Sequence, residues 1–104
     1  MLKLPKVVAP YLVAVFPLVN KDSLDVIAYE IYRDLLFRRI DALYDDKGSI
    51  GRRYARVDEI GVPYAVTVDY QTLEDGSVTV RDRDTWSQTR IGRGEIYSYI
   101  KGES

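Results

Sequence analysis

The first part of the chain combines a continuous apolar run with a helical pattern. The run YLVAVF, residues 11–16, is rich in β-forming side chains and stops at Pro17, which predicts a strand buried on both faces. After a polar turn, apolar residues recur at helical spacing from Leu24 to Leu35. This spacing predicts an amphipathic helix of roughly four to five turns that ends near Arg39.

The rest of the chain continues to alternate between strand and helix patterns. The predicted elements are a short strand 41–44, a helix 50–60, strands 64–70, 78–81 and 89–91, and a terminal helix 95–101. Turn residues at 74–77 separate two of these strands, so we expect strands 64–70 and 78–81 to form an antiparallel hairpin. The element order favours one α/β domain, a mixed sheet covered by helices, over residues 1–104.

Composition excludes several kinds of chemistry. The 104 residues are 46% hydrophobic and 30% charged, which is typical of a folded soluble domain. The chain has no Cys and no His, which removes disulfides, thiol catalysis, zinc sites of the usual kind and histidine acid–base catalysis. The segment FPLVNKDS after the first strand contains no glycine, so a phosphate-binding loop is not predicted there.

Two acidic pairs are candidates for metal or catalytic chemistry. Asp45 and Asp46 have the oxygen ligands that magnesium takes, but a solvated turn before the second helix is the favoured interpretation. Asp58 and Glu59 could act as an acid–base pair, and ion pairing with the arginines of residues 52–56 is favoured over that role. We therefore predict neither a catalytic residue nor a metal site.

The net charge of −1 does not indicate a binding function, but the positions of the arginines suggest one. Arg81 and Arg83 are two positions apart at the end of a predicted strand, which places them on one face. If the hairpin brings Tyr70 near Arg83, the two would form a platform for an unpaired base, worth roughly 1–3 kcal/mol. Aspartates such as Asp69 or Asp82 could accept a hydrogen bond from a cytosine amino group. From composition alone, a surface lattice of Arg–Asp pairs in the RDRD segment, residues 81–84, is favoured over this platform.

Three segments resemble a known family. They are LPKVVAPYLVAVFPLV at residues 4–19, SIGRRYARVDEIGVPY at 49–64 and VTVDYQTLEDGSVTVRDRDT at 66–85. They are similar to the anticodon-binding domain of class II aminoacyl-tRNA synthetases, and specifically to glycyl-tRNA synthetase of the archaeal and eukaryotic kind. The resemblance covers nearly the whole chain and implies a mixed five-stranded α/β sheet flanked by three helices.

The resemblance also implies a partner and a set of site residues. In that family the domain belongs to a dimeric enzyme and binds the anticodon of glycine tRNA, whose second and third letters are cytosine. The positions that match those stacking on or hydrogen-bonding to the cytosines are Arg52, Tyr70 and Arg83, with Arg53, Arg56, Asp69 and Arg81 as supporting candidates. Arg56 and Lys47 are candidates for phosphate contacts.

The class II catalytic motifs do not occur in these residues. We therefore expect a tRNA-recognition domain that is inactive alone and has no cofactor of its own, with ATP used by a separate catalytic domain. The alternative is a protein-docking module like the accessory subunit of mitochondrial DNA polymerase. We expect a cytoplasmic protein without membrane contact, a monomer as an isolated domain. The sequence leaves open whether it is a fragment or a free-standing domain.

Overall fold

The structure, a computed structural model, describes residues 11–102. Within that range strands and helices alternate in the order that the sequence predicts, with one additional short helix. The elements are β1 (Val13–Pro17), α1 (Leu24–Phe37), β2 (Ala42–Tyr44), α2 (Ile50–Glu59), β3 (Tyr64–Val68), α3 (Tyr70–Asp75), β4 (Ser77–Asp82), β5 (Gln88–Gly92), a 3-10 turn (Arg93–Glu95) and α4 (Ile96–Lys101).

The five strands form one mixed sheet in the order β2-β1-β3-β4-β5. β1 lies between β2 and β3 and runs parallel to both, whereas β4 and β5 are antiparallel to their neighbours. The predicted pairing of the third and fourth strands is therefore confirmed, as is the mixed α/β fold. None of the helices in residues 11–102 combines the length and apolarity needed to cross a membrane.

Helices cover the two faces of the sheet unequally. α1 and α4 pack on one face, where Leu24, Ile31 and Ile96 belong to the same buried cluster as Val13 and Val15 of β1. α2 packs on the other face against alternate residues of β1, which explains why every residue of β1 is buried. The continuous apolar run of β1 thus reflects its position between two helical layers.

Both ends of α2 are capped by local hydrogen bonds. Ser49 Oγ accepts from the backbone N–H of Arg52 at 3.2 Å, a usual N-cap contact. At the other end Gly61 has φ +80°, and Val62 N–H donates to the carbonyl of Val57 at 3.0 Å. This is the Schellman arrangement, in which glycine takes the left-handed conformation without steric cost.

The connection from β3 to β4 differs from the prediction. The sequence predicts a strand through Tyr70, but β3 ends at Val68 and α3 begins at Tyr70. The reason is a capping box in which the Asp69 carboxylate accepts from Thr72 N–H at 3.3 Å and Thr72 Oγ1 accepts from Asp69 N–H at 3.1 Å. This local cap overrides the β-forming composition of the segment. The resemblance implies three flanking helices, whereas the described residues form four, and α3 is the one that the sequence does not predict.

Candidate nucleic-acid interface

The layer formed by α2 leaves one half of the sheet exposed. Its buried cluster consists of Ala14 and Phe16 from β1, Val57 and Val62 from α2 and its cap, and Ala65 from β3. None of these residues comes from β4 or β5. On this side of the sheet, β4 and β5 therefore present side chains that the described helices do not cover.

Strand register shows which side chains lie on that exposed half. Thr67 pairs with Thr79, which pairs with Arg90, and the neighbouring row joins Arg81 to Gln88. Paired residues, and residues two apart on one strand, point to the same face of a sheet. Thr67 is 6% exposed and lies under Tyr54 of α2, whose hydroxyl is 2.5 Å from its Oγ1. We call Thr79, Arg81, Gln88 and Arg90 the open sheet face. It is polar throughout, in contrast to the apolar face covered by α1.

Arg81 is held in a fixed orientation at one end of the open sheet face. Its Nη1 and Nη2 donate to the two carboxylate oxygens of Asp58 at 3.1 and 3.2 Å. The guanidinium carbon lies 4.8 Å from the centre of the Trp86 ring and 4.9 Å from that of Tyr54. Only 11% of the Arg81 side chain is exposed. A bidentate ion pair and two aromatic contacts together restrict the guanidinium to one position.

Arg83 reaches the same aspartate from just beyond β4. Its Nε donates to the backbone carbonyl of Asp58 at 3.2 Å, and its backbone N–H donates to Pro63 at 2.8 Å. The prediction that Arg81 and Arg83 share one side of the sheet is therefore confirmed. The exposed side chain of Arg83 leaves the terminal nitrogens without a partner among the described residues.

A tight loop after β4 presents Trp86 beside these arginines. Trp86 N–H donates to the carbonyl of Asp82 at 2.9 Å, and the carboxylate of Asp82 accepts from the backbone of Asp84 at 2.9 Å and of Thr85 at 3.3 Å. The RDRD segment is therefore not a lattice of Arg–Asp pairs, because Asp82 organises the loop and Arg81 pairs with Asp58. Sequence reasoning missed Trp86, although its place directly after that segment was the available signal.

Another arginine, Arg90, lies at the other end of the open sheet face. Arg90 donates to Ser77 Oγ at 2.8 Å and to Thr79 Oγ1 at 3.2 Å, and it forms an ion pair with Asp69. Asp69 is a predicted site residue, whereas Arg90 was not predicted. Strand register identifies Arg90, and register is not visible in the spacing of the sequence.

The prediction that Tyr70 and Arg83 come together to form a platform is wrong. Tyr70 follows the end of β3, whereas Arg83 bonds to Pro63, which precedes the start of β3. The two residues are thus separated by the whole strand, about 13 Å at 3.3 Å per residue. Tyr70 instead donates its hydroxyl to Asp22 at 2.7 Å, and this hydrogen bond raises the pKa of the tyrosine.

Arg53 is not available to a ligand. It is 3% exposed, and its guanidinium donates to the carbonyl of Lys47 at 3.2 Å, to that of Gly48 at 2.9 Å and to that of Pro17. The interpretation of Arg53 as a supporting tRNA contact is therefore corrected. Its role is to join the end of β1 to the loop before α2, since it satisfies three carbonyls from two separate segments.

Arg52 and Arg56 lie away from the open sheet face. Arg56 donates to both oxygens of Asp45, at 2.9 and 3.0 Å, and is about 200° around the helix from Asp58. The side chain of Arg52 runs back alongside Gly48. The candidate arginines therefore lie on two surfaces, one on each flank of α2. Acidic side chains pair with arginines on both flanks, and the described residues contain no cluster suited to a metal ion.

The comparisons with known proteins agree with the fold. The sequence profile described as "Anticodon binding domain" matches residues 12–103. Glycine–tRNA ligase from Aeropyrum pernix is 54% identical over 101 residues, 96% of this chain and 17% of the relative. The ligase from Pyrococcus furiosus is 56% identical over 96% of this chain and 18% of its own length, and that from Borreliella burgdorferi is 52% identical over 98% and 23%.

A solved structure shows the same architecture. Prolyl-tRNA synthetase from Cryptosporidium parvum superposes with a TM-score of 0.81 at 25% identity, covering 90% of this chain and 20% of that protein. The chain thus spans between 17 and 23% of the curated relatives named above. These similarities confirm the resemblance drawn from the sequence, and the chain belongs to the anticodon-binding domain family.

Proposed function

We propose that this chain is the tRNA-binding domain of a glycine–tRNA ligase and that its open sheet face receives the anticodon. Support comes from the three glycine–tRNA ligases, each more than half identical over nearly the whole chain. The proposal assigns ATP use and dimerisation to the ligase as a whole and tRNA recognition to this domain. The named relatives are ligases rather than accessory subunits, so the docking alternative is not favoured.

The main support for the proposal is that Arg81 and Arg83 both donate hydrogen bonds to Asp58, which places the two guanidinium groups side by side. Arginine forks recognise pairs of acceptor atoms on base edges. A cytosine presents two such acceptors, O2 and N3, on its pairing edge. The terminal nitrogens of Arg83 are exposed beside the fixed guanidinium of Arg81 and are suited to donate to them. Unpaired anticodon bases expose these edges, unlike bases in a duplex.

The other end of the face offers the complementary group. A cytosine amino group donates hydrogen bonds, and a carboxylate is its usual protein acceptor. Asp69 retains acceptor capacity there because its carboxylate is partly exposed and is fixed by Arg90 and by the cap of α3. Nucleotides that are separated along the anticodon loop can therefore contact opposite ends of the open sheet face, with Thr79 between them.

The flank of α2 that faces β2 keeps a secondary role in this proposal. Lys47 has 86% of its side chain exposed, and Arg52 is exposed at the start of α2. Both can meet phosphates of the anticodon stem. Arg56 is already engaged with Asp45, so we expect it to contribute less.

A titration of labelled anticodon stem-loops tests the proposal. The cognate stem-loop of glycine tRNA is compared, by fluorescence anisotropy, with one whose second and third anticodon letters are uracil. We expect the altered RNA to bind more weakly and Arg83→Ala to lose about 1–3 kcal/mol of binding free energy for the cognate RNA. Arg33→Ala is the matched control, because Arg33 is exposed on α1, which covers the opposite sheet face. Equal binding of both RNAs, unaffected by Arg83→Ala, would contradict the proposal.

A further inference from the structure

We propose that Trp86, in the loop beside the open sheet face, stacks on an unpaired base of the bound RNA. This inference rests on the proposed function and adds a residue to it. Trp86 is the only tryptophan in the chain, and 70% of it is exposed. An indole exposed to this extent leaves a large apolar area that a flat partner could cover.

The backbone of Trp86 is held in a conformation that bulky residues rarely adopt. Its φ is +61°, in the left-handed region, where a side chain larger than that of Asn or Gly is a steric outlier. Two hydrogen bonds of 2.9 Å close the loop around it, from Trp86 N–H to Asp82 and from Asp82 N–H to Ser87. Strain of this kind persists only where surrounding contacts maintain it, and it is common at binding sites.

Arg81 supports the indole from within the protein. The guanidinium carbon is 4.8 Å from the ring centre, which is the distance of a cation–π contact. Because Asp58 fixes Arg81, the position of the ring is set before any ligand arrives. A pre-positioned ring loses little conformational entropy when a flat partner covers it.

The surroundings of the ring indicate the kind of partner. Arg83 lies on the same side of the sheet with exposed terminal nitrogens, and Arg81 contacts the ring itself. An aromatic ring combined with arginines is the arrangement that binds single-stranded nucleic acid, since every base has a face that can stack. An apolar peptide would instead be expected to seat on neighbouring apolar side chains, and the residues of the open sheet face are polar.

The single tryptophan makes the test direct. Addition of the cognate anticodon stem-loop to the whole chain is expected to quench indole fluorescence, with the same midpoint as the anisotropy of labelled RNA. N-acetyl-tryptophanamide with the same RNA corrects for absorption and collisional quenching. We expect Trp86→Asn to bind the stem-loop roughly 10-fold or more weakly, as for the loss of one base–aromatic stack. Asn tolerates the left-handed backbone, so this variant keeps the loop conformation.

Trp86→Phe is the matched variant that retains a ring, and we expect its affinity to stay within about 3-fold of the parent. Thermal unfolding of both variants checks that the fold is retained. If the stem-loop binds without quenching, or Trp86→Asn binds as tightly as the parent, the stacking role is overturned while the proposed function stands. If no stem-loop binds to the parent in the anisotropy assay, both proposals are overturned together.

Discussion

Asp58 on α2 and Arg81 on β4 are 23 positions apart in the chain and are joined by two parallel hydrogen bonds of 3.1 and 3.2 Å. α2 packs mainly on β1, so this pair ties the helix to the opposite half of the sheet. The same carboxylate orients the guanidinium that contacts Tyr54 and Trp86. Asp58 thus connects the packing of α2 to the geometry of the open sheet face.

Replacing the Asp58 carboxylate is expected to lower both the free energy of unfolding and the affinity for RNA. Asp58→Asn leaves the largely buried guanidinium of Arg81 without its counter-charge, which should cost about 1–2 kcal/mol of unfolding free energy. Because Arg81 is no longer fixed, RNA affinity should also fall. Urea denaturation measures the first effect and anisotropy titration the second.

Glu59→Gln is the control for Asp58→Asn. Glu59 is the neighbouring carboxylate, is exposed, and has no ion pair among the described contacts. We expect its replacement to change the unfolding free energy by less than about 0.5 kcal/mol. If both variants had the same effect, total charge would be responsible rather than the Asp58–Arg81 pair.

Arg53 and Arg52 are adjacent in sequence, and we expect opposite results when each is replaced by alanine. Arg53→Ala removes a buried cation that donates to three carbonyls, and should cost about 2–4 kcal/mol of unfolding free energy. Arg52→Ala removes an exposed side chain and should stay within about 0.5 kcal/mol. Urea unfolding of the two variants side by side measures the difference. Equal stability losses would refute the structural role of Arg53.

The sequence predicted the fold well because most elements follow from local patterns. Apolar periodicity located α1, and the Ser49 cap with Gly61 bounded α2 to within one residue. Local patterns failed at Tyr70, where the capping box of Asp69 and Thr72 begins a helix in a segment of β-forming residues. The side chains of a capping box are visible in the sequence, but their competition with strand pairing is not.

The candidate site was only partly predictable, and Arg53 and Arg90 show why. Helical spacing places Arg53 beside the apolar stripe of α2, but it does not indicate the three carbonyl partners from β1 and the loop before α2. Arg90 acquires its place on the open sheet face only through the register of β5 against β4. Both facts depend on contacts between segments distant in sequence. Spacing along one strand was enough for Arg81 and Arg83, because two positions on one strand share a face.

Ionisation of the Tyr44 phenol is expected to lower the free energy of unfolding at alkaline pH. Burial raises the pKa of its phenol from 10.0 to about 12, with a further contribution from the nearby Asp46 carboxylate. Because the folded state holds this proton more tightly than the unfolded state, the stabilisation is complete below pH 10 and is lost as the pH rises from 10 towards 12. Tyr44→Phe removes this contribution.

Urea unfolding of the parent and Tyr44→Phe at a series of pH values checks this sign. The stability of the parent should fall more steeply above pH 10 than that of the variant. The pKa of Tyr64 is also raised by burial, but Tyr64 is present in both proteins and cancels in the difference. Parallel pH profiles of the two proteins would contradict the prediction, because they would mean that the pKa of Tyr44 is the same in the folded and unfolded states.

RNA binding is expected to depend only weakly on salt. The cations that the described structure places at the open sheet face are Arg81, Arg83 and Arg90, and two of them are already paired with Asp58 and Asp69. Each phosphate neutralised on a single strand contributes about 0.7 to the slope of log K against log salt. Three cations therefore set a limit of about −2 for the open sheet face alone, and phosphate contacts from Lys47 and Arg52 would extend this limit to about −3.5. Anisotropy titrations of the cognate stem-loop between about 50 and 300 mM KCl measure this slope. A slope of about −5 would require about seven phosphate contacts, more than these residues supply, and would contradict the proposed binding surface.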